Sequence, residues 1–314
     1  MTHVTPVLVL SCAALVGCQA AGAPQLPGAA EVSAFSPVSA VLPDLVRDAT
    51  RLDQPSGDER FDALIALLRA RDLPFEIQPF IAGEGERRVE GRNVVIDVGS
   101  GDRDLIVGAH ADAAVLDDGS LSHAMVDNAA AVVVLTRVVE ALGQYPLRHR
   151  VRVVFFDKEE VGLVGSRRLV ASVDPERVAG MVNLDITGYG DTVIYGPASS
   201  PGNEQLHAGV RLVCAQAEHA CLEFPQFPPG DDRSFQAAGI PNVSLATLPR
   251  LEAHQLWLAL NGGESAGLQD DFVPAIMRTI HTPRDTVARL DPAGMTLAYD
   301  TVLRLVLQLD RVLD

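Results

Sequence analysis

The sequence has few cationic residues, few aromatic residues and no apolar run long enough to cross a membrane. Lys and Arg number 25 against 41 Asp and Glu, for a formal charge of -16. Such a chain repels phosphate backbones, so a nucleic-acid partner is not expected. Hydrophobic residues nevertheless make up 47% of the chain, which suits a globular protein with a sizeable core. The 314 residues fit one large α/β domain preceded by a short leader.

The leader is marked by the absence of charge. The first 17 residues contain no Asp, Glu, Lys or Arg, and the apolar run at 7–16 is too short to span a bilayer. The run ends in LVGC at 15–18, which resembles the lipobox of bacterial lipoproteins, where the cysteine becomes the lipidated first residue. His3 is the only basic candidate ahead of the run, so an ordinary secretory leader remains an alternative.

Residues 1–17 are therefore expected to be a lipoprotein signal peptide. Residues 18–40 are rich in Ala, Gly, Pro and Ser, which predicts a flexible tether. Gln19 rather than Asp after the cysteine is similar to an outer-membrane sorting signal. We expect an exported protein, held in the bacterial outer membrane or periplasm by its lipid anchor only, with its folded domain at 41–314.

Cys12 and Cys18 lie in or at the end of the leader, which leaves Cys214 and Cys221 as an isolated pair. Export to an oxidising compartment favours a disulfide between them. Seven residues apart on one helix, they would be roughly 10 Å from each other, too far to bridge. A disulfide therefore requires a helix to end between them, and two buried free thiols are the alternative.

Short apolar runs alternate with amphipathic segments through the folded part. Strands are predicted at 75–80, 93–98, 104–109, 151–156, 181–186, 193–195 and 242–246, and helices at 127–142, 203–217 and 292–312. Ser56 and Glu59 form a capping box for a further helix that ends before Pro74. Residues 247–280 are predicted to be a long connection. This alternation predicts a single α/β domain, with a mixed twisted sheet between helix layers.

Polar residues stand where the predicted strands end, the usual place for reactive groups in an open α/β sheet. The candidates are His110, Asp112, Asp127, Glu159, Glu160 and Asp185. Each alone has an ordinary explanation, such as a helix cap for Asp127 or a core position for His110. Together, one His and several carboxylates form a ligand set for divalent metals, and one carboxylate can bridge two ions.

Five segments resemble the M28 family of zinc aminopeptidases in order and spacing. They read GAHAD at 108–112, DN at 127–128, EEVGLVGS at 159–166, NLDITGY at 183–189 and HTPRDT at 281–286. The sequence departs from the family pattern at Ala111, at Ala131, where glycine is usual, and at Asp232, where His is common. None of these departures removes a metal ligand.

The resemblance implies a fold similar to the zinc exopeptidases and a site for two zinc ions per chain. The implied ligands are His110 and Asp185 on one zinc, Glu160 and His281 on the other, and Asp127 as the bridge. Glu159 is implied as the general base. Asp112 follows His110 by two residues in an extended segment, so it points to the same side and is expected to accept the imidazole N–H.

The implied activity is that of a metallo-aminopeptidase, which hydrolyses N-terminal residues from peptides with a free N-terminus through a zinc-activated water. One alternative is a glutaminyl-peptide cyclase on the same fold, but that branch usually binds one zinc and has Trp before the last His, where this chain has Ile280. Hydrolysis of another amide is a second alternative. A non-catalytic surface or receptor-like domain is a third, against which the complete ligand set argues.

Overall fold

An eight-stranded mixed sheet organises the fold. This computed structural model describes residues 42, 44–85, 88–263, 267–269 and 271–314, so the predicted signal peptide and tether lie outside the described residues. The strands are β1 Glu76–Ala82, β2 Val89–Val98, β3 Asp104–His110, β4 Arg150–Phe156, β5 Val178–Leu184, β6 Thr192–Gly196, β7 Cys221–Glu223 and β8 Asn242–Leu248. The helices are α1 Asp44–Thr50, α2 Gly57–Ala70, α3 Ala130–Leu142, α4 Val164–Val170, α5 Glu204–Ala217, α6 Asp232–Ala237, α7 Arg250–Asn261 and α8 Pro292–Val312.

The strands lie in the order β1-β2-β4-β3-β5-β8-β6-β7. The central strands β4, β3, β5 and β8 run parallel, and antiparallel β2 and β6 flank them. Every residue of β3, β5 and β8 is buried, as expected for central parallel strands that are covered on both faces. His110 pairs in register with Phe156, and Leu184 with Leu245. The carboxyl ends of these strands therefore meet at one edge of the sheet.

Helices cover both faces of the sheet. Alternate side chains of each strand point to opposite sides, so the apolar central strands need to be covered on both faces. On one face, Ile106 and Phe156 pack against Leu169 of α4 and Phe235 of α6. On the other face, Gly180 of β5 lies against Leu206 of α5. The predicted fold class, a mixed sheet between helix layers, is confirmed.

The predicted capping box of α2 forms as expected, and α8 has a capping residue as well. Ser56 accepts the N–H of Glu59 at the start of α2 and donates its hydroxyl to the Glu59 carboxylate. Asp291 accepts the N–H of Ala293, and Pro292 opens α8, where a missing N–H costs nothing. Among the described residues, no helix is long and apolar enough to cross a membrane.

Two sequence-based expectations were wrong in detail. The helix predicted at 127–142 begins at Ala130, because Asp127 and Asn128 have non-helical backbone angles inside a π-helical turn, Met125–Ala129. The predicted connection at 247–280 contains helix α7, Arg250–Asn261. Only Ala253 and Leu256 of α7 are buried, so the helix has little of the apolar stripe by which helices are recognised.

Cys214 and Cys221 form a disulfide, with their Cα atoms 6.2 Å apart. Helix α5 ends at Ala217, and its C-cap Glu218 adopts the left-handed conformation with φ 56°. The helix thus ends between the two cysteines, as a disulfide between them requires.

Candidate metal centre

Three of the predicted ligands stand where the central strands end. His110 is the last residue of β3, Asp185 follows β5 directly, and Glu160 lies in the segment after β4. Because β4, β3 and β5 are neighbours in the sheet, their carboxyl ends bring the three side chains to one place. His281 reaches the same place from the segment before α8.

Asp127 lies between the two histidines. Its Oδ1 is 2.9 Å from Nε2 of His110, and its Oδ2 is 3.1 Å from Nε2 of His281. The carboxylate is buried, and its two oxygens face different imidazole rings. A carboxylate in this position can bind two metal ions, one through each oxygen.

Two groups of potential ligand atoms share Asp127. One consists of His110, Asp127 and Asp185, the other of Asp127, Glu160 and His281, and within each group the atoms lie within 4.8 Å of one another. His110 Nε2 is 3.5 Å from Asp185 Oδ1, and His281 Nε2 is 3.0 Å from Glu160 Oε2. The two groups match the ligand set that the family resemblance implied: His110 is paired with Asp185, Glu160 is paired with His281, and Asp127 is common to both.

The donor atoms suit zinc. Imidazole nitrogens and carboxylate oxygens are the ligands that this borderline cation takes. Glu160 Oε1 is buried and, within the part of the chain that the structure describes, has no hydrogen-bond partner. A buried carboxylate oxygen in this condition is destabilising unless a cation or a proton satisfies it. The residues therefore fit a pair of divalent metal ions.

The crowding of acids perturbs their ionisation. Burial raises the pKa of Glu159 to about 9, opposed by His110 and reinforced by Asp185, Asp231 and Glu160. Burial also raises the pKa of Glu160. Burial likewise opposes ionisation of Asp127, but hydrogen bonds from His110 and His281 outweigh it and depress the pKa of Asp127. Excess negative charge at this point favours a bound cation.

Asp112 lies between the His110 ring and the segment that carries Glu159 and Glu160. Its Oδ1 lies on the side of His110 Nδ1, as predicted, but at 3.5 Å, and the expected hydrogen bond is not formed, since Nδ1 has no partner among the described residues. The same carboxylate accepts the backbone N–H groups of Glu159 at 3.1 Å and Glu160 at 3.2 Å. The two backbone contacts were not anticipated from the sequence. They fix the positions from which the Glu159 and Glu160 side chains project.

Asp285 holds the backbone of the shared residue. Its carboxylate accepts the N–H of Val126 at 2.7 Å and the N–H of Asp127 at 3.0 Å. Burial raises the pKa of Asp285 to about 6, against these two hydrogen bonds, which lower it. Asp285 lies in the HTPRDT segment at 281–286, so its importance could have been recognised from the sequence, although its partners could not.

Arg60 is a second residue that sequence reasoning missed. Its buried guanidinium donates to the backbone carbonyls of Leu52, Ala111, His123 and Ala124. Burial lowers its pKa, and the surrounding carboxylates Asp112, Asp285, Asp127 and Asp53 oppose that shift. The side chain joins helix α2 to the segments that carry Asp112 and Asp127, and no motif in the sequence signals this role.

Asp231 and Asp232 lie beside the centre at the start of α6. Both side chains are buried, and burial raises the pKa of each to about 7. Asp232, at the position where His is common in M28, accepts the N–H of Gly230 at 3.2 Å. A Cβ at Gly230 would lie 3.1 Å from Asp185 Oδ2, so glycine allows this turn to pack closely against the candidate ligand Asp185.

The profile of peptidase family M28 matches residues 93–306, and the chain belongs to that family. Its match covers all five candidate ligands. No curated protein matches the sequence. The fold and the family together support a zinc-dependent hydrolase.

Several solved structures share the fold. A zinc aminopeptidase from Bacillus subtilis is 19% identical with a TM-score of 0.54, over 69% of this chain and 49% of that chain. A glutaminyl cyclase from an Acidobacteriales bacterium is 16% identical with a TM-score of 0.66, over 92% of this chain and 99% of that chain. A leucine aminopeptidase precursor from Bacteroides thetaiotaomicron is 15% identical with a TM-score of 0.64, over 83% and 94%. The chain spans about half the length of the Bacillus subtilis structures.

Proposed function

We propose that the protein is a metallo-aminopeptidase that binds two zinc ions and removes N-terminal residues from peptides. The observation that carries the proposal is that two groups of candidate ligands share Asp127. One group adds His110 and Asp185, and the other adds Glu160 and His281. A single-metal site needs only one of these groups. Two complete groups around one carboxylate favour a co-catalytic pair.

When bound, zinc polarises the scissile carbonyl and lowers the pKa of water toward neutrality. Glu159 is the proposed base, because the resemblance assigns it that role. Its carboxylate also lies with His110 and Glu160 in a third group of potential ligand atoms, beside the two groups that share Asp127. Burial raises the pKa of Glu159, but two bound cations would lower it and leave the carboxylate ionised. The carboxylate could then accept a proton from the attacking water and pass it to the nitrogen of the leaving peptide, so that one residue leaves with a new carboxylate and the remainder with a new amine. Asp112 accepts the backbone N–H of Glu159 and so helps to position it.

The free α-amine of a substrate would bind at the metal pair and its carboxylates. Asp127, Glu160 and Asp185 converge there as proposed zinc ligands, and a neutral amine nitrogen is a suitable zinc donor. A peptide bond inside a long chain has no free amine beside it, which supports exopeptidase over endopeptidase activity.

Glutaminyl cyclisation is the second candidate. One observation that favours it is the cyclase from an Acidobacteriales bacterium, which matches over 99% of its own length. Ile280 before His281 and the two ligand groups argue for the hydrolase instead. Purified protein with its zinc content measured should be offered both aminoacyl p-nitroanilides and a peptide with N-terminal Gln. Release of p-nitroaniline supports the proposal, and ammonia release from the Gln peptide without chain cleavage would replace it with the cyclase.

We also propose that the mature protein begins at Cys18 and is lipid-anchored, with 18–40 as a tether and 41–314 as the peptidase domain. The LVGC segment at 15–18 supports the anchor. An outer-membrane or periplasmic location follows from this proposal.

A further inference from the structure

A groove runs between helices α4 and α6 on the outer side of their layer. The two helices are tied together by a hydrogen bond of 2.8 Å between the hydroxyls of Ser166 and Ser234. The space between them amounts to about 360 Å³. Its walls are formed by Leu163, Val170, Ala171, Ala237 and Ala238, together with Arg167 and Arg233.

The charge of this groove is opposite to that of the whole protein. The chain carries a formal charge of -16, yet the groove is lined by two arginines and no acidic residue. Within the described part of the chain, neither arginine forms an ion pair or a side-chain hydrogen bond. Asp232 acts on Arg233 at longer range, but its carboxylate is fully buried and does not enter the groove.

Two guanidinium groups beside small apolar walls define a ligand of mixed character. A guanidinium binds a carboxylate through two parallel hydrogen bonds, which makes arginine the preferred partner for this anion. The apolar walls offer a place for an aliphatic side chain. A groove of about 360 Å³ is at the small end of ligand pockets and cannot enclose a long acyl chain. Its open side lets the rest of a longer ligand extend into solvent.

We propose that this groove binds the carboxyl-terminal residue of a peptide whose last side chain is aliphatic. The terminal carboxylate lies between Arg167 and Arg233, and the side chain packs against Val170 and Ala237. Carboxylate capture at the end of a chain is a recurring mode of peptide recognition. The groove also contacts the catalytic segment, because the N–H of Leu163 donates to the carbonyl of Glu159 at 2.8 Å.

Calorimetric titration of the zinc-loaded protein with acetyl-Ala-Leu tests the proposal, since the blocked amine prevents aminopeptidase cleavage. The free acid should bind, and its carboxyl-terminal amide should bind at least about tenfold more weakly, because charged hydrogen bonds are lost. Arg167→Gln and Arg233→Gln should each weaken the acid by a similar factor. Both arginines are exposed, so the fold should survive, which circular dichroism checks.

Arg69→Gln is the matched control, because Arg69 is also exposed but lies on α2, and it should leave affinity unchanged. Equal binding of the acid and the amide would overturn the proposal. Unchanged binding of the acid by both Arg167→Gln and Arg233→Gln would also overturn it, because the carboxylate would then bind elsewhere. Hexanoate that binds as tightly as the peptide would make the occupant a simple fatty acid. Absence of binding by the free acid would also refute it.

Discussion

Replacing Asp285 by Asn tests whether Asp127, the proposed shared ligand, is held in place by the hydrogen bonds that Asp285 accepts from the backbone. Asp285 accepts the N–H of Val126 at 2.7 Å and that of Asp127 at 3.0 Å, and each hydrogen bond to a charged acceptor contributes about 1.5–3 kcal/mol. The Asn oxygen keeps one bond, while its NH2 group opposes the other N–H. We expect the free energy of unfolding to fall by about 2–3 kcal/mol. Zinc affinity should fall about 10–100-fold, the usual effect of losing support behind a ligand.

Asp310→Asn is the matched control for this variant. Asp310 is also a buried carboxylate that accepts two backbone N–H groups, those of Arg148 at 3.0 Å and His149 at 2.8 Å. These residues precede β4, at the opposite edge of the sheet from the metal centre. Urea unfolding should show a similar loss of stability for both variants, whereas zinc titration against a chromophoric chelator should show weaker binding for Asp285→Asn alone. Unchanged zinc affinity in Asp285→Asn, or an equal loss in Asp310→Asn, would refute the reasoning.

Two further predictions concern the metal bridge and the anchor. Asp127→Ala should reduce the zinc content measured by elemental analysis from two per chain to nearly none, because both ligand groups include Asp127; retention of one tightly bound zinc would contradict the bridging role. Cys18→Ala should release the protein from the membrane fraction or block its processing, as the LVGC segment predicts; a wild-type protein that is fully soluble, with its N-terminus at another residue, would contradict the anchor.

The sequence alone was enough to predict seven of the eight described strands, all but the short β7, and to propose the five candidate ligands. The apolar runs of the central strands are continuous because those strands are buried on both faces. The residues at the carboxyl ends of such parallel strands lie at one edge of the sheet. His110 and Asp185 could therefore be proposed as site residues from their positions at strand ends. The family pattern then added His281, which no strand end would have identified.

What the sequence could not predict depends on contacts between distant segments. Arg60 reaches Ala111 across 51 residues, and Asp285 reaches Asp127 across 158 residues. Each appears in the sequence as an ordinary charged residue, since hydrogen bonding to backbone leaves no periodic pattern. The irregular turn at Asp127 was missed for a related reason, because its apolar neighbours continue the helical period while tertiary contacts hold its backbone out of the helix.

The rate of N-terminal residue release by Glu159→Gln, measured at verified zinc content, tests the central claim most directly. Glutamine is nearly isosteric with glutamate but cannot accept the proton, so the variant should keep two zinc ions per chain while its rate falls by about 10²–10⁴ relative to wild type. Glu160→Gln, assayed alongside, should instead disturb zinc binding. A wild-type protein that carries zinc yet releases no residue from any aminoacyl substrate, or a Glu159→Gln variant as fast as wild type, would contradict the account.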